Sequence, residues 1–135
     1  MDEQFDWVEA RSKCTLAKAF QRLRLGVQSD VKARNSLRGE TPYYEFSVIS
    51  EKANDFMVLL SGNTVEHHTV AFGIAGNEII AVSNGNQESW NVSVTLDDDA
   101  QCRLKTKNGK ELTFWQFRRL TLEKLFFQTV PREIF

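Results

Sequence analysis

Alternation of apolar and polar residues predicts an antiparallel sheet over the middle of the chain. In the segment SWNVSVTL, Trp90 and every second residue after it are apolar, whereas the residues between them are polar. Successive strand residues point to opposite faces, so this pattern predicts a strand with one buried face. On the first, third and sixth strands the same parity predicts inward-facing Tyr44, Phe46, Val48, Val70, Phe72, Ile74, Cys102 and Leu104.

Clusters of turn-forming residues separate these strands. They recur about every 9 to 14 residues, which is the spacing of antiparallel strands joined by short loops, and they predict a meander of six or seven strands. A two-residue turn at Asn108-Gly109 would point Leu112 away from the face of Leu104, so either a bulge intervenes or Leu112 packs on the outer surface. The other clusters are Ser61-Gly62-Asn63, Gly76-Asn77, Asn84-Gly85-Asn86 and Asp97-Asp98-Asp99.

A helix is predicted before the sheet. Apolar residues recur at steps of three and four between Thr15 and Gly39, as on one face of an amphipathic helix, and Thr15 is suited to the N-cap position. Gly26 costs about 1 kcal/mol relative to alanine within a helix, so a break there is one alternative. Residues 4–12 fit either an added helical turn or an extended arm. The predicted buried stripe is Leu16, Phe20, Leu23, Val27 and Val31.

A second helix is predicted after the sheet. Thr113 and Gln116 have the spacing of a capping box, and Pro131 ends the helical segment. The order of elements predicts an α+β fold, with an N-terminal helix, a six- to seven-stranded antiparallel meander, and a C-terminal helix packed on the concave face of the sheet. The length of 135 residues and the absence of any repeat predict one domain spanning residues 1–135.

Composition and charge narrow the class of protein without assigning a function. The chain is 41% hydrophobic and 26% charged, as in folded globular proteins, and its net charge of −1 favours neither nucleic acid nor anionic membranes as partners. The N-terminus is acidic and lacks the apolar core of a signal peptide, and no segment approaches the roughly 20 apolar residues of a membrane helix. We therefore expect a cytoplasmic protein that binds neither nucleic acid nor membrane.

The two cysteines do not suggest a site. Cys14 and Cys102 lack the spacing of a zinc or redox motif. Because a reducing compartment disfavours disulfides, we expect no structural bridge between them. Cys102 is then a small residue of the core.

The only two histidines, His67 and His68, are adjacent. Adjacent strand residues point to opposite faces, so the pair cannot bind one metal ion within a regular strand. Parity places His68 inward and His67 outward. A three-residue loop at residues 62–64 predicts that His68 lies opposite Val58 on the preceding strand.

No catalytic signature accompanies the histidines. The chain contains neither a phosphate-binding loop nor a nucleophile elbow nor an EF-hand, so we expect no metal and no cofactor. His68 is nevertheless a polar residue on an apolar face, where it could act as a general base or orient a ligand. The residues predicted to line a ligand pocket are His68, Trp90, Cys102, Thr106 and Phe72.

Apolar side chains exceed what one sheet face and one helix stripe require. The C-terminal helix carries two apolar sectors, and the outward parity of the first strands is apolar at Ile49, Val65 and Ala71. This surface is covered either by the N-terminal segment, with Phe5, Trp7 and Val8, or by a partner protein. The predicted interface residues are Phe117, Leu120, Phe127, Met57 and Leu59.

Three functions fit this sequence. The favoured one is a non-enzymatic protein that acts by protein association, as a homodimer, an adaptor or a small chaperone. The first alternative is a carrier of a small apolar ligand in a pocket between sheet and helix. The second is an enzyme that uses His68.

Overall fold

The computed structural model describes residues 5–39, 43–62, 67–85 and 87–130. Its seven strands form one antiparallel sheet in the order in which they occur along the chain, with helices before and after it. This confirms the predicted α+β fold. The elements are α1 (Trp7–Lys13), α2 (Leu16–Asn35), β1 (Tyr44–Lys52), β2 (Asp55–Gly62), β3 (His68–Ala75), β4 (Glu78–Ser83), β5 (Ser89–Leu96), β6 (Cys102–Thr106), β7 (Glu111–Leu112) and α3 (Phe114–Phe127).

Helices α2 and α3 pack on the same face of the sheet, and the core lies between them and the strands. A chain of aromatic contacts crosses this core. Phe20 of α2 lies 5.3 Å from Phe56, Phe56 stacks on Phe72 at 4.8 Å, and Phe72 meets Phe117 of α3 edge-on at 6.5 Å. Burial of each such ring contributes about 1.5–3 kcal/mol, so these contacts join helices to sheet. The inward residues predicted on β1, β3 and β6 are buried or packed against this core.

Helix α2 begins where its sequence predicts. The side chain of Thr15 accepts a hydrogen bond from the backbone N–H of Lys18, which satisfies a donor of the first turn. Gly26 does not break the helix. A Cβ atom there would lie 2.5 Å from Nη1 of Arg118, so glycine lets the arginine cross α2 and pair with Asp30 at 2.7 Å. The segment before Cys14 also becomes a helix, α1, rather than an extended arm.

The hairpin between β2 and β3 differs from its predicted register. His68 lies opposite Leu60, not Val58, which is a shift of two residues. The strands are therefore joined by a longer connection than three residues, part of which lies outside the described residues. Because side chains alternate with a period of two, this shift leaves every side chain on its predicted face.

The turn between β6 and β7 contains the bulge that Leu112 requires. Gly109 has a φ of +90°, a conformation that glycine adopts readily, and its N–H bonds to the carbonyl of Thr106 at 3.0 Å. The N–H of Thr106 then bonds to the carbonyl of Lys110. The extra residue pairs Leu104 with Leu112, so Leu112 is buried.

The last residue of α2 and the turn after it also cover the free edge of β1. The side-chain amide of Asn35 donates to the carbonyl of Phe46 at 2.8 Å and accepts from its N–H at 3.0 Å, while Arg38 donates to the carbonyl of Tyr44 at 2.8 Å. These bonds occupy backbone groups that could otherwise pair with another strand. The opposite edge ends in β7, which has two residues. Both edges are thus poor sites for strand addition.

The sequence-based expectation of two free thiols is wrong. Cys14 and Cys102 form a disulfide, with Cα atoms 5.4 Å apart although 88 positions separate them in sequence. Cys14 follows α1 directly, and Cys102 is the first residue of β6. The α1–α2 junction therefore reaches the end of the sheet where β6 begins. Spacing in the sequence carries no information about this distance, because it depends on how α2 crosses the sheet.

Replacing Gly62 by alanine tests the packing where β1 and β2 end. A Cβ atom at Gly62 would lie 2.3 Å from the carbonyl oxygen of Tyr43, whereas one at Gly73 would lie 3.7 Å from its nearest neighbour. Since backbone must move in the first case only, we expect Gly62→Ala to lower the free energy of unfolding by about 1–3 kcal/mol. Gly73→Ala is the matched control and should change it by less than about 0.5 kcal/mol. Urea denaturation of both variants measures the difference, and equal stabilities would contradict the close approach.

Candidate functional site

The histidine pair lies at the start of β3. His67 is exposed and His68 is partly buried on the inward side, as alternation predicts. The imidazole of His68 lies against Gly85 in the connection between β4 and β5, where a Cβ atom would be 2.6 Å from Nδ1. Among the residues that the structure describes, no group of three or more histidine, cysteine or acidic residues could hold a metal ion.

The residues predicted to line a ligand pocket lie in different parts of the fold. Trp90 and Thr106 come together in a groove of about 360 Å³ between the sheet and α3. Phe72 is buried in the core between Phe56 and Phe117, and Cys102 is in the disulfide. His68 does not line this groove. The structure therefore brings together two of the five residues, Trp90 and Thr106, on strands near the edge of the sheet that is farthest from β1.

A larger groove of about 580 Å³ runs between α2 and α3. Leu122 and Phe126 lie buried beneath it, and Leu37, in the turn after α2, flanks it with about half of its surface exposed. Four of its charged lining residues form two ion pairs, Arg118 with Asp30 and Arg119 with Glu123. The fifth, Arg34, is buried and donates to the carbonyl of Phe126. Sequence periodicity did not reveal this groove, because it arises from the packing of two helices.

The exposed part of α3 is smaller than predicted. Phe117 has no exposed surface, so it belongs to the core and is not available to a partner, whereas Leu120 and Phe127 are each 47% exposed. Trp115 is 54% exposed and joins them. We call these three residues the α3 ridge: Trp115, Leu120 and Phe127. The ion pair of Arg119 and Glu123 lies between its apolar members along the helix.

The face of the sheet that the helices leave uncovered carries a row of apolar residues. Ile49 pairs with Met57, Met57 with Ala71, and Ala71 with Val82, so the four side chains cross β1 to β4 without interruption. Solvent-facing sheets are usually polar at such positions. We call this set the outer row: Ile49, Met57, Ala71 and Val82.

Two further apolar residues flank the outer row. Leu59 of β2 and Ile80 of β4 share its face, on opposite sides of it. Ile80 and Val82 were not among the interface residues predicted from the sequence, although the alternation within EIIAVS places both opposite Ile79 and Ala81. Val65, which was predicted to share this face, lies outside the described residues. The outer face of β5 is polar, and that of β6 carries Arg103 and Lys105.

The N-terminal segment does not take the covering role that the sequence allowed. Phe5, Trp7 and Val8 are all more than half exposed, and no residue of α1 is buried. On α3, Leu120 and Phe127 are each 47% exposed, and on the sheet Ile49 is 39% and Val82 46% exposed.

Comparison with known proteins adds no assignment to this geometry. No protein-family model, no curated protein and no solved structure matches the chain. Within the described residues, no helix has an apolar stretch long enough to cross a membrane. The site must be interpreted from its own chemistry.

Proposed function

We propose that this protein acts by association and forms a homodimer through the outer row. The observation that supports this is the unbroken line of four apolar side chains across four strands, with Ile49 39% exposed and Val82 46% exposed. Burial of apolar surface is the main driving force for association, at about 25 cal/mol per Å². A face of this kind favours a partner that is apolar and flat.

A second copy of the same face meets that requirement. In a two-fold dimer the same patch serves both subunits, so it must be complementary to itself. The outer row has no charge, and two copies can meet without placing like charges at the centre. Acidic residues of this face, Glu45, Asp55 and Glu78, lie outside the row. Two sheets would pack face to face at a separation of about 10 Å.

The outer row is favoured over the other exposed surfaces for two reasons. The α3 ridge is divided by the ion pair of Arg119 and Glu123, whereas no charged side chain interrupts the outer row. Association by strand addition is disfavoured, because Asn35 and Arg38 occupy backbone groups at the edge of β1. The cytoplasm stays our proposal for its location, from the sequence alone.

Substitution of Val82 by glutamate tests the dimer. Val82 is exposed within one subunit, so the charge is tolerated by the fold, but it would be buried without a partner in the proposed interface. We expect Val82→Glu to weaken dimerisation at least about 100-fold, an effect of roughly 3 kcal/mol. Ser93→Glu, on the outer face of β5 and opposite Lys105, is the matched control and should stay dimeric. Sedimentation equilibrium over a range of protein concentrations measures both.

Two results would contradict this proposal. One is a wild-type protein that sediments as a monomer at all accessible concentrations. The other is a dimer that Leu120→Glu dissociates and Val82→Glu does not, since this would place the contact on the α3 ridge. Circular dichroism of each variant checks that the fold is retained.

A carrier of a small apolar ligand is a second candidate. The groove between the sheet and α3, with Trp90 and Thr106 beside the exposed Leu120, has the location and about the size that such a ligand needs. Native mass spectrometry of freshly purified protein should then show a bound species that Trp90→Ala removes. A consistently ligand-free mass would argue against this function. His68 lines neither of the two grooves described above.

A further inference from the structure

Helix α1 is weakly attached to the rest of the molecule. None of its seven residues is buried, and Trp7 is 62% exposed. Its polar contacts are local, with Asp6 capping the N–H of Glu9 and Arg11 donating to the carbonyl of Cys14 at 3.0 Å. Lys18 of α2 donates to the carbonyl of Ser12 at 3.2 Å. These bonds are exposed or only partly buried and contribute little, because water competes for the same groups.

The disulfide between Cys14 and Cys102 attaches α1 to the sheet by a covalent bond, which these weak contacts do not provide. Cys14 follows α1 directly and is buried, and its bond to Cys102 holds the end of α1 at the start of β6. Cys14 is buried, whereas Cys102, its partner in the bridge, keeps part of its residue surface exposed. A segment with few buried contacts opens at low free energy unless something restrains it. For α1 this restraint is the Cys14–Cys102 disulfide, which a thiol reductant can break.

We propose that Cys14 and Cys102 form a thiol–disulfide switch that sets whether the C-terminal end of α1 is held at the start of β6. In the forward step a dithiol reductant attacks one sulfur, forms a mixed disulfide, and closes on its own second thiol. The protein gains two electrons and two protons as two thiols, and the reductant becomes a disulfide. Oxidation by a disulfide of the same class reverses the step and restores the bridge.

We expect the core to keep its packing when the disulfide is reduced. The buried stripe of α2 starts beyond the bridge, at Ala19 and Phe20, and Thr15 caps the helix independently of it. A disulfide stabilises mainly by restricting the unfolded chain, so reduction is expected to lower the melting temperature even where the packing of α2 is kept. The melting temperature alone therefore cannot identify a switch. The measurement must separate α1 from the core.

Hydrogen–deuterium exchange with mass spectrometry makes this separation. We compare the oxidised protein, the protein reduced with dithiothreitol, and the double variant Cys14→Ser/Cys102→Ser. In the reduced and double-variant forms we expect amides of residues 7–13 to exchange at least about tenfold faster, while those of β2 and β3 keep their protection. Dithiothreitol should change nothing in the double variant, which controls for effects of the reagent elsewhere. Thiol alkylation should count two thiols after reduction and none before.

Three outcomes would overturn the proposal. Exchange in α1 that is equally slow in the oxidised and reduced forms would show that other contacts hold the helix. Loss of protection throughout the sheet on reduction would show a structural bridge rather than a local switch. Two reactive thiols that persist after treatment with oxidised dithiothreitol would show that the bridge does not form. The dimer is tested by sedimentation of the oxidised protein, in which the bridge is intact, so this proposal and the dimer fail separately.

Discussion

Replacing Phe117 by alanine is expected to lower the free energy of unfolding by about 3–5 kcal/mol, the usual cost of removing a buried phenylalanine. Phe117 has no exposed surface, and its ring meets Phe72 edge-on at 6.5 Å. The truncation removes contacts on both sides of the core and leaves a cavity between α3 and the sheet. Chemical denaturation at one fixed protein concentration measures the loss, because association also affects apparent stability.

The control for this experiment lies one turn further along α3. Leu120→Ala removes an apolar side chain that is about half exposed, and we expect a loss below about 1 kcal/mol. A small effect of Phe117→Ala, similar to that of Leu120→Ala, would place Phe117 on the surface, as the two-sector pattern of the sequence suggested. The pair therefore tests directly which side of α3 faces the sheet.

The second large effect is expected for Arg34→Met, with a loss of about 2–4 kcal/mol. Arg34 is 2% exposed, and its guanidinium donates to the carbonyl of Phe126 at 2.8 Å and to the hydroxyl of Tyr44 at 3.0 Å. The guanidinium carbon of Arg34 also lies 5.2 Å from the centre of the Phe46 ring. Methionine fills much of the same volume but leaves two buried polar groups without this donor, each at about 1–3 kcal/mol. Thermal and urea denaturation give the change.

Three further variants separate the contributions of Arg34. Lys32→Met, at an exposed position of the same helix, should change stability by less than about 0.5 kcal/mol. Arg34→Lys keeps the charge but cannot reproduce the fork of two donors, so it should lose most of the same free energy. A double-mutant cycle with Tyr44→Phe isolates the hydroxyl contact. Additive effects of Arg34→Met and Tyr44→Phe would contradict a direct interaction.

Local patterns predicted most of the fold. Alternation in SWNVSVTL and its neighbours depends on the pleat of the strand, and Thr113 with Gln116 forms its capping box from residues three positions apart. The predicted faces of the strands are correct, although the predicted register between β2 and β3 is wrong. His68 shifted by two residues relative to β2, and a shift of two preserves the face of each side chain.

The candidate sites were less predictable, because they depend on distances between elements. Phe117 and Leu120 are both apolar residues of one helix, and only the position of α3 over the sheet buries the first and exposes the second. Of the outer row, Met57 was predicted as an interface residue, and Ile49 and Ala71 as outward-facing apolar residues. Val82 was not predicted, and it joins the row through the pairing of β3 with β4. The groove between α2 and α3 has no signal in either helix alone.

The sequence by itself therefore determined the order, type and inward faces of the elements, since these follow from contacts between residues near each other along the chain. The tertiary structure alone decided what comes together across the fold. It placed Cys14 beside Cys102, and it aligned Ile49 and Val82 in one row although they lie on different strands. The reason is physical: the path of α2 and the register of four strands are set by the packing of the whole core, to which every element contributes.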